Sequence, residues 1–134
     1  MTASTSTKTK NEYPYYGRLH ETRGHGVWCP ATTSDKTDFL QVDMGTEHSV
    51  CAVATRGHEW GARVTSYKLR LSADGVIWIT YKEINIEKVF VGNSDGRSVV
   101  KNSMGTDVKA RYVRFYPVTF NHWPCTSVEI YVRK

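Results

Sequence analysis

From Phe39 onward, apolar and polar residues alternate in short runs separated by glycine, asparagine and aspartate. Period-two alternation puts one set of side chains on each face of an extended strand. Phe39-Leu40-Gln41-Val42-Asp43-Met44-Gly45 reads as a strand closed by a turn, and Val50 to Thr55 as another, rich in β-forming residues. In Val64 to Leu71 the faces separate, with Tyr67, Leu69 and Leu71 on one side and Ser66, Lys68 and Arg70 on the other. Ala73-Asp74-Gly75 predicts a turn before a strand over Val76-Ile77-Trp78-Ile79-Thr80-Tyr81. Val89-Phe90-Val91 precedes a second turn, Gly92-Asn93-Ser94-Asp95-Gly96; Arg111 to Tyr116 alternates again, and Val128 to Val132 closes the pattern. Nowhere do apolar residues recur at i, i+3, i+4 and i+7 over three turns, so helices are not expected. Many short strands with polar turns between them predict an all-β antiparallel sandwich or barrel.

The first ten residues lack periodicity and read as a loop or frayed edge. Tyr13-Pro14-Tyr15-Tyr16-Gly17 follows, then a glycine-rich segment ending at Val27-Trp28-Cys29-Pro30. There is no internal repeat and no linker, and 134 residues suit one domain, 1–134. With 40% hydrophobic and 23% charged residues the chain is globular. A formal charge of +5 favours acidic partners, though a charge this modest mainly serves solubility. No run is long enough to cross a bilayer as a helix, and the polar opening MTASTSTKTK lacks the apolar core of a signal peptide. The expectation is an excised or mature domain behind a start methionine.

Catalytic signatures are absent: no G-x-S-x-G, no P-loop, no G-x-G-x-x-G and no HExxH. Carboxylates are scattered, so no acid/base pair can be named. Of the five histidines, His20 and His25 share one loop and His58 occupies another; a metal site from these is conceivable, but surface histidines are the simpler reading. No N-x-[ST] sequon occurs. The three cysteines, Cys29, Cys51 and Cys125, show no CxxC spacing. Cys51 sits in the apolar SVCAVAT, where a free thiol behaves as a small hydrophobe. Spacing alone leaves open whether Cys29 and Cys125 pair or whether all three are unrelated thiols of a cytosolic protein.

Aromatic residues in loops are the more informative feature. Trp28 and Trp78, at strand edges, read as core. Trp60 differs, because Arg56-Gly57-His58-Glu59-Trp60-Gly61-Ala62-Arg63 offers it no apolar neighbours. A large aromatic amid cations marks a binding surface, unless it folds back over the core rim. Tyr13, Tyr15 and Tyr16 form a comparable group.

Several segments, in one order over nearly the whole chain, resemble the discoidin (coagulation factor 5/8 type C) domain family. They include Gly17-Arg18-Leu19, Trp28-Cys29-Pro30, Phe39 to Gly45, Val53-Ala54-Thr55-Arg56-Gly57 and Val64 to Leu69. Asp74-Gly75 with Trp78, Phe90-Val91-Gly92-Asn93-Ser94-Asp95, Ala110 to Pro117 and Val128-Glu129-Ile130-Tyr131 continue the match. The flavour is that of discoidin domain receptors and lactadherin-like domains. The resemblance implies a jelly-roll-like, galactose-binding-domain-like β-sandwich of about eight main strands. It also implies a Cys29–Cys125 disulfide, ligand-binding loops at one end, and a secreted or cell-surface setting. Family ligands include phosphatidylserine membranes, galactose-type sugars, collagen and other proteins. This chain departs from the pattern in lacking the usual opening and closing cysteines, in Phe120 where tryptophan is usual, and in tyrosines where the collagen-binding receptors carry a first-loop tryptophan. Collagen is therefore the weakest candidate.

The expected function is that of a non-catalytic binding or adhesion module. Tyr13, Tyr15, Tyr16, Arg56, His58, Glu59, Trp60 and Arg63 are its ligand-binding residues, and Lys8 and Lys10 are further phosphate contacts. Anionic phospholipid leads, because aromatics favour the interface and cations the headgroups. A cell-surface or matrix glycan is the alternative, with Trp60 or Tyr15 stacking on a sugar ring, and a matrix protein a third. No nucleic-acid partner and no cofactor are expected, with only a structural calcium ion left open.

Overall fold

The computed structural model describes residues 2–3, 27–31, 33, 38–58 and 61–133. Nine strands are described: β1 (Thr2–Ala3), β2 (Leu40–Arg56), β3 (Arg63–Ser72), β4 (Ile79–Thr80), β5 (Lys82–Glu83), β6 (Ile86–Glu87), β7 (Phe90–Val91), β8 (Val100–Asn121) and β9 (Ser127–Arg133). Every pairing among them is antiparallel, and no helix occurs among the described residues.

The architecture is an antiparallel β-sandwich, and two long strands make it one. The first part of β2 pairs with the last part of β8 (Gln41↔Arg114), its second part with the start of β8 (Ala54↔Lys101). Only the second part also pairs with β9, from Ser49↔Arg133 to Arg56↔Ser127. The end of β8 is flanked instead by β3, from Arg63↔Asn121 to Ser72↔Tyr112. Register shifts in β2 between Asp43 and His48 and between Val50 and Ala52 divide the two halves. Bulges of this kind bend a strand and raise its twist, which lets one strand serve both layers.

The core lies between those halves. Leu40, Val50 and Val53 of β2 meet Val64, Tyr67, Leu69 and Leu71 of β3 and Val113 and Phe115 of β8, with Trp28, Phe90 and Val128 in the same cluster. Tyr67 stacks on Phe90 at 5.3 Å between centroids. The inward set predicted for Val64–Leu71 is the buried one.

Three elements differ from the sequence reading. Segments 40–45 and 50–55 belong to one strand: Gly45 takes φ +82° and its N–H bonds Asp43 Oδ1 at 2.9 Å, which kinks the chain at the irregularity between Asp43 and His48 without ending the strand. The strand expected over Val76–Tyr81 shrinks to Ile79–Thr80, because Asp74 Oδ1 accepts the N–H groups of Val76 (2.8 Å) and Ile77 (3.0 Å) and holds them in the turn. Trp78 is half-buried on the sheet's outer face, not in the core. Its ring carries the Arg114 guanidinium at 3.8 Å and leans on Tyr112. Trp28 is fully buried, as expected.

Candidate functional site

Antiparallel connectivity brings several loops to one end of the sandwich. β2 ends at Arg56 and β3 begins at Arg63, so the connection between them, described at 57–58 and 61–62, lies at this end. The β8–β9 connection, 122–126, crosses beside it, since Arg63 pairs with Asn121 and Arg56 with Ser127. The β7–β8 connection, 92–99, arrives at the same level, with Gly92 N–H bonded to Thr65 O (2.8 Å) and Asn93 N–H to Val64 O (2.9 Å).

Each loop is fixed by a specific device. The 57–62 loop closes on itself, His58 N–H to Ala62 O at 2.7 Å and Gly61 N–H to His58 O at 2.8 Å. At Gly57 a Cβ would lie 2.7 Å from Arg63 Cβ, and at Gly96 one would lie 2.0 Å from the carbonyl oxygen of His58. Glycine is thus required sterically where the 92–99 loop passes under the 57–62 loop. Buried Asn93 locks the former to β2: its Oδ1 accepts from Thr55 Oγ1 (2.8 Å), and its Nδ2 donates to Thr55 O (3.0 Å) and Ser98 O (2.9 Å). Asp95 caps the same loop, and the N–H groups of Ser98 and Arg97 that it accepts hold its carboxyl below the usual range.

The fourth segment is 27–31. Trp28 and Thr126 exchange both backbone hydrogen bonds at 2.9 Å. The Cys29–Cys125 disulfide spans 96 residues beside them, as the resemblance implied. Trp123 Nε1–H donates to Pro30 O at 2.8 Å, and Val27, both half-cystines, Ala62 and Trp123 form a small apolar cluster under the loops. Cys51 is free and half-buried, its thiol 3.4 Å from Tyr131 O.

Of the predicted site residues, the structure brings Arg56 and Arg63 to the two feet of the 57–62 loop. Both are half-buried, and neither forms a close ion pair with a carboxylate among the described residues, although the Arg63 charge helps to lower the Asp95 carboxyl. Arg63 Nη1 donates to Gly61 O at 2.8 Å, while its Nε is buried with no hydrogen-bond partner. His58 departs from the expected placement. It is 3% exposed, drawn inward by the tight turn its own backbone closes, and so lies beneath the surface it was expected to form. Tyr13, Tyr15, Tyr16, Glu59 and Trp60 lie outside the described residues, as do Lys8, Lys10, His20 and His25. Among the described residues no three His, Cys, Asp or Glu side chains gather as a metal site would require.

The sequence reading missed the rim made by Phe120, Asn121 and His122. All three are exposed, and His122 adopts φ +65°, a left-handed conformation to which histidine is several-fold enriched. Its ring lies beside Gly61. The available signal was His122-Trp123-Pro124-Cys125, an aromatic turn tied by its cysteine to the early loop.

Residues 1–130 match the family model described as F5/8 type C domain. The chain is 40% identical over 130 residues to lactadherin of Mus musculus, covering 91% of this chain and 28% of that one. It is 37% identical over 123 residues to the epithelial discoidin domain-containing receptor 1 of Homo sapiens, covering 87% of this chain and 14% of that one. It thus spans under a third of these curated relatives. Discoidin II of Dictyostelium discoideum superposes with a TM-score of 0.85 at 25% identity, over 97% of this chain and 52% of that one. The converging loops, the antiparallel sandwich and these matches agree: the chain belongs to the F5/8 type C (discoidin) domain family of non-catalytic binding modules.

Proposed function

We propose that the loop end docks on anionic phospholipid surfaces of the phosphatidylserine type, in an extracellular or cell-surface setting. The observation that carries this reading is the pair Arg56 and Arg63, which frame the short loop whose sequence holds Trp60 and form no close ion pair among the described residues, Asp95 acting on Arg63 only at longer range. Cations near an anionic surface contribute about 1 kcal/mol each, and an aromatic between them suits the headgroup boundary. Tyr13, Tyr15 and Tyr16 are the further boundary contacts proposed from sequence, and Lys8 and Lys10 the further phosphate contacts, with Phe120 and His122 as the neighbouring rim; Glu59 belongs to the sugar-binding alternative, where it would hydrogen-bond hydroxyls. His58 shapes the loop from beneath. The Cys29–Cys125 bridge supports an oxidising compartment, where such bonds persist.

Vesicle co-sedimentation with and without phosphatidylserine, run beside a panel of galactose-type glycans, tests the reading. Binding should require phosphatidylserine and fall steeply between low and high salt, because exposed charges are screened. Salt-insensitive capture of a glycan, with no vesicle binding, would establish the sugar-binding alternative instead.

A further inference from the structure

Arg70 of β3 stands directly opposite Arg114 of β8 in their shared ladder. Opposed residues of an antiparallel pair share a face, with Cβ atoms about 4.5–5.5 Å apart, and like charges there are destabilising. Among the described residues neither arginine forms an ion pair, because the nearby carboxylates are engaged elsewhere. Asp43 takes both Arg111 Nε (2.7 Å) and Nη2 (3.0 Å), and Glu87 takes Lys68 (2.9 Å). Aromatic rings hold the two guanidinium groups instead. Arg114 Cζ lies 3.8 Å from the Trp78 centroid and 4.1 Å from that of Phe39, and its Nε donates to Gln41 Oε1 at 2.9 Å. Arg70 is exposed, with its Cζ 5.1 Å from the Tyr116 centroid. Two cations are thus fixed in place on one sheet face with their charge left unneutralised.

Beside Arg70 the same face carries a concavity of about 190 Å³, lined by Lys68, Arg70, Glu87, Tyr116, Pro117 and Val118. We propose that it binds one ring of an acidic sugar chain, sulfated or uronate, with the anionic group on Arg70 and the Arg114 charge behind it. A guanidinium fork matches either anion. The lining suits a sugar. Tyr116, Pro117 and Val118 offer an apolar wall to the C–H face of a pyranose, while Glu87 and Lys68 offer an acceptor and a donor to its hydroxyls. Glu87 also works against an acidic peptide, whose successive carboxylates would bring like charge against it. The volume falls short of the ~300 Å³ at which drug-sized sites begin, so the concavity takes a ring and the rest of the chain lies across the sheet. Arg70 is separated from Arg63 by about 23 Å of extended β3, which makes this face distinct from the loop end.

Calorimetric titration with a heparin-derived hexasaccharide at about 0.15 M salt, where long-range attraction is largely screened, tests the site. Wild-type protein should bind it and should not bind uncharged maltohexaose. Arg70→Gln should weaken binding about tenfold or more, the loss expected with one charge-assisted hydrogen bond. Its melting temperature should be unchanged or higher, because the substitution relieves the opposed like charges. Lys101→Gln makes the same change of charge where β8 pairs with the second part of β2, and should alter binding less than twofold. No vesicle enters the titration, so its outcome is independent of lipid binding at the loops. A wild type that does not bind, or equal losses in Arg70→Gln and Lys101→Gln, would overturn the proposal. So would a loss in Arg56→Gln with normal binding in Arg70→Gln, which assigns the sugar to the loop end. Hexaglutamate bound as tightly as the hexasaccharide, and lost in Arg70→Gln, would make the partner an acidic peptide instead.

Discussion

Gly96 passes so close to His58 that a Cβ at position 96 would sit 2.0 Å from the His58 carbonyl oxygen. Backbone, not a flexible side chain, occupies that space, so the 57–62 and 92–99 loops can hold their spacing only with glycine there. Gly96→Ala is expected to destabilise the domain by about 1–3 kcal/mol, as overpacking does, and to displace the loop that Arg56 and Arg63 frame. Urea denaturation should show the first effect, and weaker vesicle binding per folded molecule the second.

Reduction of Cys29–Cys125 should lower stability by about 2–5 kcal/mol, the usual cost of losing a native bridge from a small secreted domain. The bridge closes a loop of 96 residues in sequence, so the chain-entropy contribution is near the top of that range. Denaturant titrations with and without reductant measure the difference. Cys51→Ala should leave most of it intact, because Cys51 is no part of the bridge.

The two core tryptophans expected from sequence should separate experimentally. Trp28→Ala removes a fully buried ring and should cost about 3–5 kcal/mol through the cavity it leaves. Trp78→Ala removes a half-buried ring whose chief partner is the Arg114 guanidinium, and about 1–2 kcal/mol is expected from a contact of that kind. Equal losses in thermal unfolding would place Trp78 in the core after all.

The tryptophans also show which features were legible in the chain. Period-two alternation identified the inward face of β3 because burial of Tyr67, Leu69 and Leu71 is decided by neighbours on either side of each residue. It could not identify Trp78 as outward-facing, since that depends on Asp74 capturing two backbone N–H groups and shifting where β4 begins. At the candidate site, Arg56 and Arg63 were legible as cations flanking a glycine-rich loop. The burial of His58 was not, because it follows from a turn closed by Ala62 and from Gly96 packing beneath it. The Phe120–His122 rim was hidden for a similar reason: only the pairing of β8 with β3 brings it beside the 57–62 loop.

Tyr67 carries an alkaline signature. Burial pushes its hydroxyl up to about 12, partly opposed by the hydrogen bond from Asn102 Nδ2. An unfolded tyrosine releases its proton near 10, so between the two values the folded state binds more protons. Stability should therefore fall as pH rises through that window, by about 2–3 kcal/mol in all. Tyr67→Phe should flatten this slope while Asn102 keeps its bond to Val91 O at 2.8 Å. An unchanged slope in pH-dependent urea denaturation would mean that another group governs it.

Trp60→Ala tests most directly whether the loop end is the binding surface, when binding and melting are read on the same protein. Affinity for phosphatidylserine vesicles should weaken by an amount typical of a hot-spot aromatic, about 2 kcal/mol or more. The melting temperature should barely move, since substitutions away from packed features stay within about 0.5 kcal/mol. A Trp60→Ala variant that melts well below wild type yet binds vesicles normally per folded molecule would contradict the account, and would make Trp60 part of the scaffold.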